Sequence, residues 1–304
     1  MSVSTGSLFK SCYGKYAVPA INIWCMEQVH ALFSAARITE APFIVQMTPV
    51  AIRYANSQML VAIINAAAAI YKCSQFSIHL DHGTREAALE AIASGAFSSV
   101  MIDASHEPYE NNIKITREIV KKAHAAGMEV EAELGILSGV EDDTNVKAED
   151  SKYTQPDQVE DFVYKTGCDS LAIAVGTSHG AYKFPGEQRL RFEILEEIQQ
   201  RLTSYPLVLH GGSSINLSEV NRINAAGGYI GKGASGIHPD ELRKAISYGV
   251  CKINIATDSR ILWTRVHREF FKDNPGAFDP VVPGKIFMEE LEKLFVEKFR
   301  MLQA

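Results

Sequence analysis

Two hydrophobic rhythms alternate along this chain. Ala17 to Ile23 is a short apolar run containing Asn22 near its end, and Met26 to Ala36 then places apolar residues at helical spacing. The same pair recurs as Pro42 to Thr48 with Met59 to Tyr71, and as Phe76 to His82 with Arg85 to Ala93. It recurs again as Phe97 to Ala104 with Asn111 to Ala126, the latter stopped by Gly127, and as Met128 to Leu134 with Pro156 to Thr166. Ser170 to Gly176 precedes Arg191 to Arg201, Leu207 to Gly212 precedes Asp240 to Tyr248, and Lys252 to Thr257 is the last strand candidate before a helix over Phe287 to Leu302. Eight apolar strand candidates alternating with helices predict a (β/α)8 TIM barrel as one domain over residues 1–304, rather than an open doubly wound sheet. Ile136 to Gln155 breaks the rhythm: an acidic connection with Glu141, Asp142 and Asp143, long enough to be a lid or a disordered loop. Gly227 to Gly236 reads as one mobile loop.

A barrel keeps its chemistry at the carboxyl ends of its strands, and these ends are polar throughout. Asn22, Thr48, Asp81, His82, Asp103, Glu133, the residues after Gly176, His210 and Asn254 all fall there. Taken alone, each is a satisfied polar cap; taken together, they predict a site. His82, His179 and His210 sit on three such ends, either as three ligands of a zinc with one open position or as separate structural or acid/base histidines. Of the rest, His30, His124 and His267 fall in helices, His238 adjoins Pro239, His79 is expected to be packed or hydrogen-bonded, and His106 lies close to the active edge. Glu131 and Glu133 share one face of their strand by two-residue alternation.

The turns Gly176-Thr-Ser-His-Gly-Ala-Tyr-Lys183, His210-Gly-Gly-Ser-Ser214 and Asn254-Ile-Ala-Thr257 are small and rich in glycine or hydroxyls, as late-strand phosphate loops are. Their plainer reading is tight turns that need glycine. Lys183 and Arg260 supply positive charge beside them.

Composition narrows the partners. A net charge of -6 argues against nucleic acid or anionic lipid as ligands, so an anion site has to be built locally. Five scattered cysteines without a Cys-x-x-Cys pair argue for a reduced, cytoplasmic protein with neither disulfide framework nor cysteine zinc site. Ala62 to Tyr71 is too short to span a bilayer.

The blocks His79-Leu-Asp-His-Gly83, Val100-Met-Ile-Asp-Ala-Ser105, Val130-Glu-Ala-Glu-Leu-Gly135, Gly176 to Lys183, Leu209-His-Gly-Gly-Ser213 and Lys252-Ile-Asn-Ile-Ala-Thr-Asp258 together resemble the class II, zinc-dependent ketose-bisphosphate aldolases, in order from Asn22 to Arg260. The resemblance implies reversible cleavage of a phosphorylated ketose to dihydroxyacetone phosphate and glyceraldehyde 3-phosphate, on a catalytic Zn2+ held by His82, His179 and His210. It implies that Asp81 is the acid/base at the C4 hydroxyl and Glu141 the loop acid for the C3 proton. Glu133 and Asp103 match positions that support the metal or form an alternative metal site. Asn22, Thr48 (where the family usually has serine), Gly180, Lys183, Gly211, Ser213, Asn254, Thr257 and Arg260 match substrate-binding positions, with Gly180 and Lys183 also matching a monovalent-cation site. A homodimer or larger homo-oligomer is implied too, for which the Leu291, Leu294, Phe295 and Phe299 stripe is one candidate surface and ordinary packing the other.

The chemistry fits without the resemblance. Cleaving a C–C bond next to a carbonyl needs an electron sink, supplied in aldolases by a metal or a lysine imine; the sixth strand, Leu171 to Val175, has no lysine. One departure stands out: fructose-type members carry an acid where this chain has Ala256, which leaves tagatose 1,6-bisphosphate or relaxed specificity open. Two rival readings are an amidohydrolase-like barrel, which would resemble a His-x-His pair where this chain has Ile21-Asn-Ile23, and a sugar-phosphate sensor, which would be expected to lose Asp81 and Glu141.

Overall fold

A computed structural model describes residues 2–141, 144–147, 151–179, 189–214, 216–231 and 236–303. Its strands are β1 (Val18–Asn22), β2 (Phe43–Met47), β3 (Phe76–Gly83), β4 (Ser99–Ile102), β5 (Glu129–Leu134), β6 (Ser138–Glu141), β7 (Thr144–Val146), β8 (Ser170–Ile173), β9 (Ser178–His179), β10 (Leu207–Leu209) and β11 (Val250–Ile255). Eight of them, β1 to β5 with β8, β10 and β11, form a closed parallel barrel in chain order, and Val18 pairs with Lys252 where β11 returns to β1. Each of the eight apolar runs supplies one barrel strand. They read as nearly unbroken apolar runs because both faces are covered, the outer by helices and the inner by the opposite wall.

The helices are α1 (Thr5–Cys12), α2 (Met26–Thr39), α3 (Pro49–Ala55), α4 (Ser57–Tyr71), α5 (Arg85–Ser94), α6 (Tyr109–Ala125), α7 (Pro156–Thr166), α8 (Phe192–Arg201), α9 (Leu217–Ala225), α10 (Pro239–Ile246), α11 (Thr257–Asp273) and α12 (Val281–Gln303). Helix α5 shows why they begin and end where they do: the Thr84 hydroxyl accepts the Ala87 amide at its start, and Gly95 takes the left-handed conformation at its end. Helix α1 seals the amino end of the barrel, where Leu8, Phe9 and Cys12 pack against Val18, Ala20, Ile44 and Cys251.

The stripe on α12 belongs to the core. Leu291, Phe295 and Phe299 are fully buried, and Phe299 stacks on Phe43, which in turn meets Phe33 of α2 and Phe76 edge to face or stacked. The acidic connection after β5 contains structure of its own: β6 pairs antiparallel with β7 and parallel with β9, while Asp142 and Asp143 lie outside the described residues. All five cysteines are unpaired. No helix among the described residues is long and apolar enough to cross a membrane.

Candidate active site

Strand alternation lines the barrel with alternate residues, so that Ser77, His79 and Asp81 of β3 form one inward row. A regular strand would turn His82 away from Asp81. Here the backbone of His82 is left-handed, φ 45°, and the β3–β4 register shifts between Leu80 and Gly83. That break brings two consecutive side chains into one site. It also explains Gly83, since a Cβ there would stand 2.5 Å from the Met101 carbonyl oxygen.

Asp81 is fully buried and accepts three side-chain amide bonds: from Asn22 Nδ2 at 2.7 Å, Gln46 Nε2 at 3.2 Å and Asn254 Nδ2 at 3.0 Å. Three donors from three strands aim its carboxylate without using a charge. Gln46 Oε1 and Asn254 Oδ1 are themselves buried with no partner among the described residues, so the floor of the site still has acceptors to offer.

His82 and His210 face each other, with 2.8 Å between His82 Nε2 and His210 Nδ1. The outer nitrogen of each ring is taken by a carboxylate: His82 Nδ1 lies 3.0 Å from Asp103 Oδ2, and His210 Nε2 lies 2.9 Å from Glu131 Oε1. Burial pushes both carboxyls upward, but hydrogen bonds from His82 and Ser105 to Asp103, and the Lys252 ammonium beside Glu131, hold both well below the usual carboxylate range. A carboxylate can only accept, so each ring keeps its proton on the outer nitrogen. Burial and the neighbouring His82 lower His210, which favours the neutral imidazole. Once both inner nitrogens are free of protons, as metal ligands have to be, two lone pairs are directed at one point. Lone pairs in that arrangement repel unless a cation lies between them, and neutral imidazoles backed by carboxylates are the ligand chemistry of zinc. The donor atoms of Asp81, His82 and His210 all lie within 4.8 Å of one another, as do those of His82, Asp103 and Glu133.

Glu133 behaves differently from Asp103. Burial, reinforced by the charge of Asp103, raises it well above the carboxylate range, and its Oε2 has no partner among the described residues. The raised pKa favours the neutral acid beside His82, and a nearby cation would favour the carboxylate.

The turn after β10 packs against its neighbours so closely that its glycines are required. A Cβ on Gly211, at φ 65°, would stand 2.4 Å from the Ser178 carbonyl oxygen, and one on Gly212 would stand 2.3 Å from Ile253 Cγ2. Ser213 Oγ accepts the amides of Ala256 and Thr257 at 3.2 and 3.1 Å, tying this turn to the start of α11. The Arg260 guanidinium lies over the Trp24 ring, 5.7 Å from its centroid. Thr48 caps α3, accepting the Ala51 amide at 3.3 Å.

The geometry thus brings together Asn22, Asp81, His82, Asp103, Glu133, His210 and Asn254, and it sets Ser213 against Thr257 at the neighbouring turn. His179 ends β9 and Glu141 ends β6, and the description of both stops at the backbone. Gly180 and Lys183 lie outside the described residues. Three participants were not singled out from sequence: Gln46, Lys252 and Trp24. Gln46 and Lys252 carry a readable signal, a polar residue two positions before a strand-end residue of the site and hence on the same face.

The family model described as "Fructose-bisphosphate aldolase class-II" matches residues 3–304. The chain belongs to this aldolase family. It is 42% identical to the fructose-bisphosphate aldolase of Treponema pallidum, over 97% of this chain and 94% of that one. It is also 37% identical to the D-tagatose-1,6-bisphosphate aldolase subunit GatY of Klebsiella oxytoca, over 95% of this chain and 93% of the relative. Among solved structures, a putative fructose-1,6-biphosphate aldolase from Coccidioides immitis superposes with a TM-score of 0.81 at 26% identity, covering 98% of this chain and 95% of that one. Class II aldolases depend on zinc, and the facing histidines are where this member has a donor set suited to it.

Proposed function

We propose that this chain cleaves a ketose 1,6-bisphosphate reversibly to dihydroxyacetone phosphate and glyceraldehyde 3-phosphate, with zinc held by His82, His210 and His179. The observation that carries the reading is the pair of carboxylate-backed imidazoles facing each other at 2.8 Å beside Asp81. A zinc ion there supplies the Lewis acidity that offsets the negative charge developing as the C3–C4 bond breaks.

The chain's own residues do the rest. Asp81, aimed by Asn22, Gln46 and Asn254, takes the proton of the C4 hydroxyl in cleavage and returns it in condensation. Glu141, on the connection that pairs with β9, handles the C3 proton. The turn containing Gly211 and Ser213, with Gly180, Lys183, Asn254 and Thr257, holds the phosphate of the dihydroxyacetone end, and Arg260, steadied by Trp24, meets the far phosphate. Thr48 and Asn22 contact the substrate, Asp103 and Glu133 support the metal or an alternative metal site, and Gly180 with Lys183 also serves a monovalent-cation site.

A second substrate is favoured by a specific observation. Ala256 presents only a methyl group where fructose-type members carry an acid, and one relative is named for tagatose 1,6-bisphosphate. The test is cleavage of the two bisphosphates in parallel, before and after chelation and zinc restoration. We expect chelation to abolish cleavage and zinc to restore it, with the ratio of rates assigning the C4 epimer. Zinc-loaded protein that cleaves neither substrate overturns the reading.

A further inference from the structure

We infer that Lys252 is a positioning residue for the candidate metal site, acting through Glu131 to fix which nitrogen of His210 faces it. The inference rests on the metal reading above and adds a residue that does not touch the site.

Lys252 is fully buried on β11, and its ammonium donates to Glu131 Oε2 at 2.7 Å. The two strands are not neighbours in the barrel, since β8 and β10 separate β5 from β11, so this bond crosses the interior. The other oxygen of Glu131 accepts from His210 Nε2 at 2.9 Å. His79 closes the third side, its Nε2 3.5 Å from Glu131 Oε2 and its Nδ1 2.7 Å from Ser99 Oγ. Ser99 is bonded in turn to Thr5 of the sealing helix α1 at 2.7 Å. The carboxylate is thus held by two hydrogen bonds, from Lys252 and His210, with the His79 ring against it but not bonded to it, and this hold commits one face of His210. Without the ammonium, Oε2 keeps only the His79 ring, and the carboxylate can rotate off His210. The imidazole then loses the acceptor that holds its proton on Nε2 and can turn that nitrogen, instead of the Nδ1 lone pair, toward the site. Neither the burial of Lys252 nor its ion pair suits a role as an imine-forming lysine or a phosphate contact.

The test uses metal-freed full-length protein and Co2+, with affinity read by chelator competition and ligand geometry by the visible absorption of the bound ion. Thermal unfolding of the metal-free form is measured in parallel. Lys252→Met is expected to weaken Co2+ binding about 10–100-fold and to alter the absorption bands. Should that variant fail to fold, the paired variant Glu131→Gln with Lys252→Met carries the test, because it removes both charges at similar volume. It is expected to unfold near the wild-type temperature while still binding Co2+ weakly with altered bands, since a glutamine can donate to His210 as well as accept. Recovery of both stability and Co2+ affinity in the paired variant, or unchanged Co2+ binding in Lys252→Met, would reduce the ion pair to a structural element and overturn the inference. Wild-type protein that binds no Co2+ overturns the metal reading itself, and this inference with it.

Discussion

His82 and His210 reach one point by opposite means. His82 sits at the mouth: its backbone is bent into the left-handed region, its carboxylate partner is Asp103, and their side chains are 13% and 14% exposed. His210 sits deeper, just past β10 and before the left-handed Gly211, and its partner Glu131 is 2% exposed and carries a buried lysine behind it. The mouth arm is held by local strain and hydrogen bonds that water can replace; the deep arm is held by charges that have no substitute. The same ligand geometry therefore has different dependencies, and breaking each arm should give a different phenotype.

Removing what lies between the arms gives the largest effect on rate. Asp81→Ala is expected to lower kcat by about 10²–10⁴ in steady-state cleavage assays while zinc content stays at one equivalent, because the base goes and both imidazoles remain. Loss of zinc in that variant would instead place Asp81 among the ligands. Cutting the deep arm tests the second half of the comparison: Glu131→Ala leaves Lys252 as an uncompensated buried charge and should destabilise the fold by about 3–5 kcal/mol in denaturant titration. The matching cut at the mouth, Asp103→Asn, should change stability by less than about 1 kcal/mol yet weaken zinc roughly tenfold in chelator competition. Equal stability losses in the two variants would erase the distinction. Gly83→Ala forces a methyl group against the Met101 carbonyl and should cost about 1–3 kcal/mol by unfolding, with His82 displaced.

The smallest effect is a surface reference far from both arms. Glu118 of α6, hydrogen-bonded to Arg85 of α5 and to Lys122, has its pKa lowered from 4.5 to about 2. Because the folded value lies below the free one, the stabilisation it gives is complete above pH 4.5 and drains away as pH falls toward about 2. Glu118→Gln should flatten that part of an acid-unfolding profile only slightly, since the pair is exposed and screened.

Much of this was legible beforehand. The eight barrel strands could be read because burial on both faces demands apolar runs, and the site could be read from the polar residues that end them. Helix α11 was not, because it buries Asp258, Ser259 and Arg265 among its apolar positions, and its hydrophobic period is blurred by the ion pairs of Arg265 with Glu219 and Glu290. Helices α1, α3 and α9 were not singled out either, although α10, which is no longer than α1 or α9, was. The left-handed turn at His82 leaves no trace of its own in the residue types, and alternation alone would have sent that ring outward. Lys252 and Glu131 are 121 positions apart, and only the closed barrel shows them to be partners.

That separation has a consequence for how the molecule assembles. Lys252 lies on the last strand, whose pairing with β1 joins Val18 to Lys252 and requires nearly the whole chain to be in place. Contacts this distant form late, because the entropy of closing the intervening chain has to be offset first. Until then the lysine and the glutamate are both hydrated, and His210 has no anchored acceptor. The metal-binding geometry is thus expected to mature in the final step of folding: an incomplete barrel would expose strands and helices in nearly native order yet hold zinc poorly, which makes metal retention a check on completion.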